Sequence, residues 1–534
     1  MFLQHEYINF IFSVLSRIWR KLMKIDQLKA GVVLSYVSMF LGYAVSIAYT
    51  PLMLRLLGQS EYGLHNLASS VVSYLGLLSF GFGGTYIRFY SRYKVRDDRG
   101  SIAELNGMFL VVFSIIGIIA ALAGSVMVTN TERILGHNLS DKELNTAKIL
   151  MAIMVFNLAT SFPASVFNSY ITANERYVFQ KLIQMIKVVV NPFLLLPVLL
   201  MGYGSVGMVM VSTMLTLIVE VCNAVFCFRK LGMEFSFRRF DLPLMKEMTV
   251  FSSYIFMNMI IDQINWSLDK FLLGRYRGTV AVATYGLAAQ LNTYYMSLST
   301  TISSVFIPRV NRMAATENDN AQLTRLMTRV GRLQFMVLGL IGTGFAFFGK
   351  QFIQMWAGAS YSDSYPIALL LIIPVTIPLV QNLGIEIQRA KNMHQFRSWV
   401  YLFIALFNLT LSIPLIKRFG GVGGALGTAI ALIIGTGLIM NWYYHFRIGL
   451  DMKHFWLQIA KLGRAFIIPV TVGLLLVLFL DISSLVWFLL AGFLYTVAFA
   501  LSMWFVGMNQ YERELVSRPF KRIAARLHCD RKHA

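Results

Sequence analysis

The sequence predicts an all-α integral membrane protein. The expected architecture is about 14 transmembrane helices. They form two parallel six-helix lobes around a central cavity, with two further C-terminal helices. Three observations predict it: the composition, the placement of Lys and Arg between apolar runs, and an internal repeat. Of 534 residues, 57% are hydrophobic and only 13% charged, and the mean hydropathy is +0.63. A soluble domain carries about 25% charged residues. Of the 47 Lys and Arg residues, 36 fall in the two termini and in alternate connections. Nine fall in the intervening connections, and Lys187 and Lys270 lie inside apolar runs. Such a bias orients a polytopic chain with its basic side, here including both termini, in the cytoplasm. It also accounts for the net charge of +22, which is spread over short loops and suits anionic lipid headgroups. Membrane lipids are therefore expected partners, and nucleic acid is not.

Taken in order, residues 1–29 read as an amphipathic segment in the cytoplasmic interface. Ile8, Ile11, Leu15 and Trp19 share one helical face, and Arg17, Arg20, Lys21 and Lys24 lie largely opposite. The N-lobe, 30–228, holds spans at 30–56, 62–87, 106–128, 146–172, 179–201 and 205–227. A basic cytoplasmic linker occupies 229–248. The C-lobe, 249–446, holds spans at 249–273, 280–307, 327–349, 364–388, 398–416 and 423–444. Residues 447–508 supply spans at 457–480 and 483–507, and 509–534 form a basic cytoplasmic tail. Each span is predominantly apolar and bounded by Gly, Pro, Asn or charge clusters. No long soluble segment interrupts them, which argues against an enzyme with a soluble catalytic domain. No GxxxxGKS or GxxxxGKT stretch indicates a nucleotide motor. Cys222, Cys227 and Cys529 lack metal-ligand spacing. No cofactor is expected beyond a coupling ion, H⁺ or Na⁺.

The repeat sets Leu56-Leu57-Gly58 with Tyr62-Gly63-Leu64 against Leu272-Leu273-Gly274 with Tyr285-Gly286-Leu287. In both copies the second helix ends at a basic residue, Arg88 and Arg309. An even number of spans separates the copies, so they are parallel, as in transporters that alternate access by rocking one lobe on the other.

These motifs carry a family resemblance. The stretch from Leu56 through Gln59, Ser60 and Glu61 to Leu64, running into Tyr74-Leu75-Gly76-Leu77-Leu78-Ser79-Phe80-Gly81, resembles the opening of bacterial polysaccharide flippases. So does Asp269-Lys270-Phe271-Leu272-Leu273-Gly274, and so does Gly420-Gly421-Val422-Gly423-Gly424-Ala425-Leu426-Gly427-Thr428. These are the O-antigen and exopolysaccharide flippases of the multidrug/oligosaccharidyl-lipid/polysaccharide exporter superfamily, and the resemblance covers about residues 30–450. It implies transfer of an undecaprenyl-diphosphate-linked oligosaccharide from the cytoplasmic to the periplasmic leaflet of the bacterial inner membrane. It also implies a polysaccharide polymerase and a chain-length regulator as partners.

A charge in mid-membrane costs at least about 2.5–3.5 kcal/mol, so each one needs a reason. Asp262 and Asp269, seven apart, share one face of the seventh span. They are candidate cavity acids for ion coupling, as is Glu386. The other reading of Asp269 is a pair with Lys270 or with another helix near the external interface. Lys187, Arg88 and Arg309 are candidate cations for the diphosphate. The other reading of Lys187 is snorkelling to the interface, and basic residues at cytoplasmic ends are expected in any case. Glu386 and Arg389, three apart, are placed to pair. Glu220 reads as an interhelical hydrogen-bonding group beside Asn223. Rival functions are a multidrug-type cation antiporter, which would carry carboxylates deep in its first lobe, and a lipid II flippase. A membrane glycosyltransferase or polymerase would need large external loops, and those here are short.

Overall fold

The computed structural model describes residues 27–136, 138–238, 240–316, 319–391, 393, 395–515 and 517. Most of the expected interfacial segment at 1–29 and most of the basic tail at 509–534 lie outside the described residues. The chain divides into two compact units, Met1–Ser267 and Leu268–Ala534. The division falls inside one long helix, beyond the expected linker at 229–248.

Unit 1 contains α1 (Gln27–Val72), α2 (Phe82–Val95), α3 (Arg99–Thr129), the short α4 (Thr131–Leu135), α5 (Asp141–Ala173), α6 (Tyr177–Leu200) and α7 (Gly204–Leu231). The first part of α8 (Leu242–Arg277) completes it. The first expected loop is a single residue. Gly58 takes φ 74° and ψ 172°, a conformation open to glycine without the clash a β-carbon brings. It joins two expected spans into one run, Leu34–Val95. In the second copy of the repeat the same backbone state falls at Gly278 (φ 82°, ψ −175°), not at Gly274. Within the unit α3 packs on α5, α5 on α7, and α1 on α6. An aromatic core that includes Tyr86, Phe89, Phe109, Phe113 and Phe162 fixes α2 between α3 and α5. Tyr86 donates to Asn106 Oδ1 at 2.5 Å, and Asn106 donates to the Glu234 carbonyl at 2.8 Å. These bonds satisfy polar groups that burial would otherwise penalise.

Unit 2 continues with α9 (Thr279–Ser304), α10 (Ile307–Thr316), α11 (Asn320–Trp356), α12 (Ser364–Val380), α13 (Leu383–Ala390) and α14 (Gln395–Leu432). A π-helical turn, Ile433–Ile439, leads into α15 (Met440–Phe446), followed by α16 (Met452–Leu462), α17 (Ile467–Phe479) and α18 (Leu485–Ser502). The glycine run at 420–427 explains α14. Gly420 (φ 59°, ψ −134°) reverses the chain. Arg277 donates to the carbonyls of Ile416, Lys417 and Arg418 at 3.2, 2.5 and 3.0 Å, satisfying the helix end just before the reversal. The two arms then lie so close that a β-carbon on Gly423 would overlap the Leu415 carbonyl, and one on Gly427 would stand 2.5 Å from Ser412 Oγ.

Among the described residues, nine helical runs are long and apolar enough to cross a membrane, or ten if bent α12–α13 is one span. This is fewer than the expected count of about fourteen. Leu34–Val95 and Gln395–Phe446, 62 and 52 residues long, each hold two expected spans. Helices α8 and α9, crowded with Asn, Gln, Ser and Thr, are not among the nine. Outside the spans, acidic residues cap helices. Asp98 accepts from the Ser101 amide at 2.9 Å and from its hydroxyl at 2.6 Å, and these bonds hold its carboxyl below the usual range. Asp319 caps α11 through the amides of Ala321 and Gln322, with the same direction of shift.

Candidate functional site

Each unit holds a cluster of polar side chains brought together from several helices. In unit 2, Asp269 on α8 is only 2% exposed. Its Oδ2 accepts from Tyr285 Oη at 2.7 Å and from Thr428 Oγ1 at 2.8 Å. Behind Thr428 lie Asn408, which donates to it at 3.2 Å, and Ser412, which donates to Asn408 at 2.9 Å. The reversal at Gly420 creates this cluster, because it brings Thr428 on one arm of α14 beside Asn408 and Ser412 on the other. Asp269 Oδ1 is buried with no hydrogen-bond partner. The partners of Asp269 are hydroxyls, so the expected pair with Lys270 does not form. A buried carboxylate with one open oxygen is a group that a proton or a small cation completes.

In unit 1, α5, α6 and α7 line a half-open polar cavity of about 480 Å³. Lys187 lines it and donates from Nζ to Thr216 at 2.9 Å. Glu220 lines it too and receives Ser161 Oγ at 2.5 Å. Asn223, 8% exposed, also lines it, and its Oδ1 has no partner. Lys187, expected either at the interface or on a diphosphate, thus shares a cavity with a carboxylate. The sequence reading named Glu220 and Asn223 without joining them to Lys187. One helical turn separates the two on α7, but α6 is tens of residues away, so no local spacing reveals the set.

The remaining candidates are dispersed. Arg88 is exposed on α2, its guanidinium 4.5 Å from the Phe251 ring centroid in a cation–π contact. Thr85 and Ser252 share a buried hydrogen bond of 2.6 Å beside it. Arg309 is exposed on α10, since α9 ends at Ser304 and the expected helix end at Arg309 falls on a separate element. Asp262 is exposed on α8, in contrast to Asp269. Arg389 Nη1 meets Glu386 Oε1 at 2.8 Å, the arginine side chain 58% exposed, as the spacing of three predicts.

One buried ion pair escaped the sequence reading. Arg332 on α11 grips Glu512 through Nε–Oε1 at 2.6 Å and Nη2–Oε2 at 2.9 Å. Glu512 is fully buried. Arg332 also donates to the carbonyls of Gln458 and Gly507, each at 2.9 Å.

Residues 28–314, more than half of the chain, match the family described as polysaccharide biosynthesis protein. The uncharacterised membrane protein EpsK of Bacillus subtilis (strain 168) is 22% identical over 490 residues, covering 90% of this chain and 95% of EpsK. A putative O-antigen transporter of Shigella flexneri is 19% identical over 417 residues, covering 76% of this chain and 95% of that one. The solved structure of the lipid II flippase MurJ, inward closed, superposes with a TM-score of 0.70 at 15% identity, over 92% of this chain and 99% of MurJ. That likeness shows a shared fold. The chain is a multi-pass membrane protein and belongs to the polysaccharide biosynthesis protein family.

Proposed function

We propose that this protein is a flippase that moves lipid-linked oligosaccharide across a bilayer for surface-polysaccharide synthesis. The observation that carries this reading is the half-open polar cavity lined by α5, α6 and α7. A sugar hydroxyl taken into hydrocarbon without a partner costs roughly 2–7 kcal/mol, so a carrier must offer hydrogen-bonding groups within its spans. The relatives named above support the same direction. One is named a transporter of O-antigen and MurJ a flippase of lipid II; neither name denotes a catalyst. The finer proposal is an undecaprenyl-diphosphate carrier in a bacterial cytoplasmic membrane, with both termini on the basic, cytoplasmic side. Arg88 and Arg309 are its proposed diphosphate contacts, and a polymerase and chain-length regulator its proposed partners.

Asp269 is the proposed coupling group. Binding of H⁺ or Na⁺ at its open oxygen would neutralise a charge that is costly to bury, and release would restore that cost. Such a difference in free energy is what couples an ion to a change of conformation. Asp262 and Glu386, both less buried, are secondary candidates for the same role.

The test is reconstitution in vesicles with a lipid-linked oligosaccharide of defined structure. Outer-leaflet sugar, read by an impermeant lectin, should rise with time above that in protein-free vesicles. One observation favours a second reading: Glu220 is a carboxylate within the first unit, where a cation–drug antiporter would place one. Uptake of ethidium against a proton gradient, with no movement of lipid-linked sugar, would favour that reading.

A further inference from the structure

The cavity of unit 1 offers a more specific assignment, which rests on the flippase reading above. We propose that the α5–α6–α7 cavity binds a glycosyl unit of the substrate through its hydroxyls and does not receive the diphosphate. The distinction lies in donors and acceptors. An ionised diphosphate presents acceptors only, whereas a sugar hydroxyl both donates and accepts. Asn223 Oδ1 is a buried acceptor without a donor, on a side chain 8% exposed that lines the cavity. Leaving such a group unmet is unfavourable, and a diphosphate cannot relieve it. Glu220 is an acceptor as well. Ser161 takes its Oε1, and a diphosphate brought to it would meet a like charge.

Donors are present alongside these acceptors. An ammonium has three N–H bonds, and Lys187 spends one on Thr216. Within one half-open cavity, then, a carboxylate and an amide oxygen can take donors while an ammonium can take acceptors. Adjacent hydroxyls on a pyranose ring answer both needs at once. The volume of about 480 Å³ falls within the roughly 300–1,000 Å³ of ligand pockets. The cavity also contains its own discriminating contacts. A sugar lacking the hydroxyl that meets Asn223 would leave that oxygen unpaired, and sites of this kind reject deoxy analogues strongly.

The experiment uses the full chain in lipid nanodiscs and saturation-transfer NMR. The probes are glucose, galactose, mannose and N-acetylglucosamine, with inorganic pyrophosphate as the diphosphate competitor. The expected result is saturation transfer to at least one hexose, undisturbed by pyrophosphate. Glu220→Gln and Asn223→Leu should each weaken the signal about ten-fold, the loss of one buried hydrogen bond. Glu220→Gln is isosteric and half-buried, so it decides the test if Asn223→Leu does not fold. No transfer to any hexose, a signal unchanged in folded variants, or displacement of the hexose by pyrophosphate would each overturn the proposal. Flipping measured in the same preparations separates the two readings. Hexose binding without flipping supports this site and removes the flippase reading. Flipping without hexose binding does the reverse.

Discussion

Asp269 and Glu512 are both carboxylates buried in unit 2, and they are satisfied to different degrees. Glu512 receives two bonds from Arg332 and a third from the Asn509 amide at 2.9 Å. Arg332 in turn spends two further donors on backbone carbonyls. Asp269 receives two hydroxyls on one oxygen and nothing on the other. A closed network of the first kind fixes one arrangement of its helices. An open one of the second kind leaves a place for a ligand. Burial alone does not distinguish the two acids; the unpartnered oxygen of Asp269 does.

Substitutions can test that contrast. The largest effect is expected at the closed pair. Glu512→Ala leaves Arg332 charged and buried without its partner, which should cost about 3–5 kcal/mol. Thermal unfolding in detergent would show it as a large fall in Tm. Replacing both members, Arg332→Met with Glu512→Leu, should recover most of the loss, and a double variant as unstable as the single one would contradict the assignment. Next comes Asp269→Asn, which should cut ion-driven flipping at least ten-fold, about 1.4 kcal/mol, with a Tm near that of the wild type. Tyr285→Phe removes one of the two hydroxyl donors and should cost about 0.5–1.5 kcal/mol, read as a modest drop in Tm. The smallest effect is expected at the exposed pair Glu386–Arg389. Glu386→Ala there should change stability by about 0.2–1 kcal/mol, and added salt should erase the difference.

The same contrast shows which features the residues revealed before the structure did. Features set by near neighbours were legible. Apolar runs gave the helices, Gly58 and Gly420 stand where breaks were expected, and Glu386 meets Arg389 because a separation of three puts both on one face. The glycine run at 420–427 was visible as a motif and as a break between two spans, but the close approach of the two arms at Gly423 and Gly427 was not. Contacts across long separations were hidden. Asp269 meets Thr428 159 residues away and Arg332 meets Glu512 180 residues away. No periodicity links such pairs. The one available clue was cost: an Asp within an apolar span demands a partner, and Tyr285 already stood in the repeat motif. Of the two kinds of partner expected, residues of other helices bond to Asp269 and Lys270 does not, for a geometric reason. Adjacent residues on a helix point about 100° apart, so a neighbour in sequence is a poor neighbour in space.

The most direct measurement compares wild type and Asp269→Asn in vesicles with an imposed Na⁺ or proton gradient, following lipid-linked oligosaccharide by its accessibility to an external lectin. Gradient-dependent flipping by the wild type, lost in a variant of unchanged melting temperature, is the expected result. Equal flipping by the two proteins, or wild-type vesicles indistinguishable from empty ones, would contradict it.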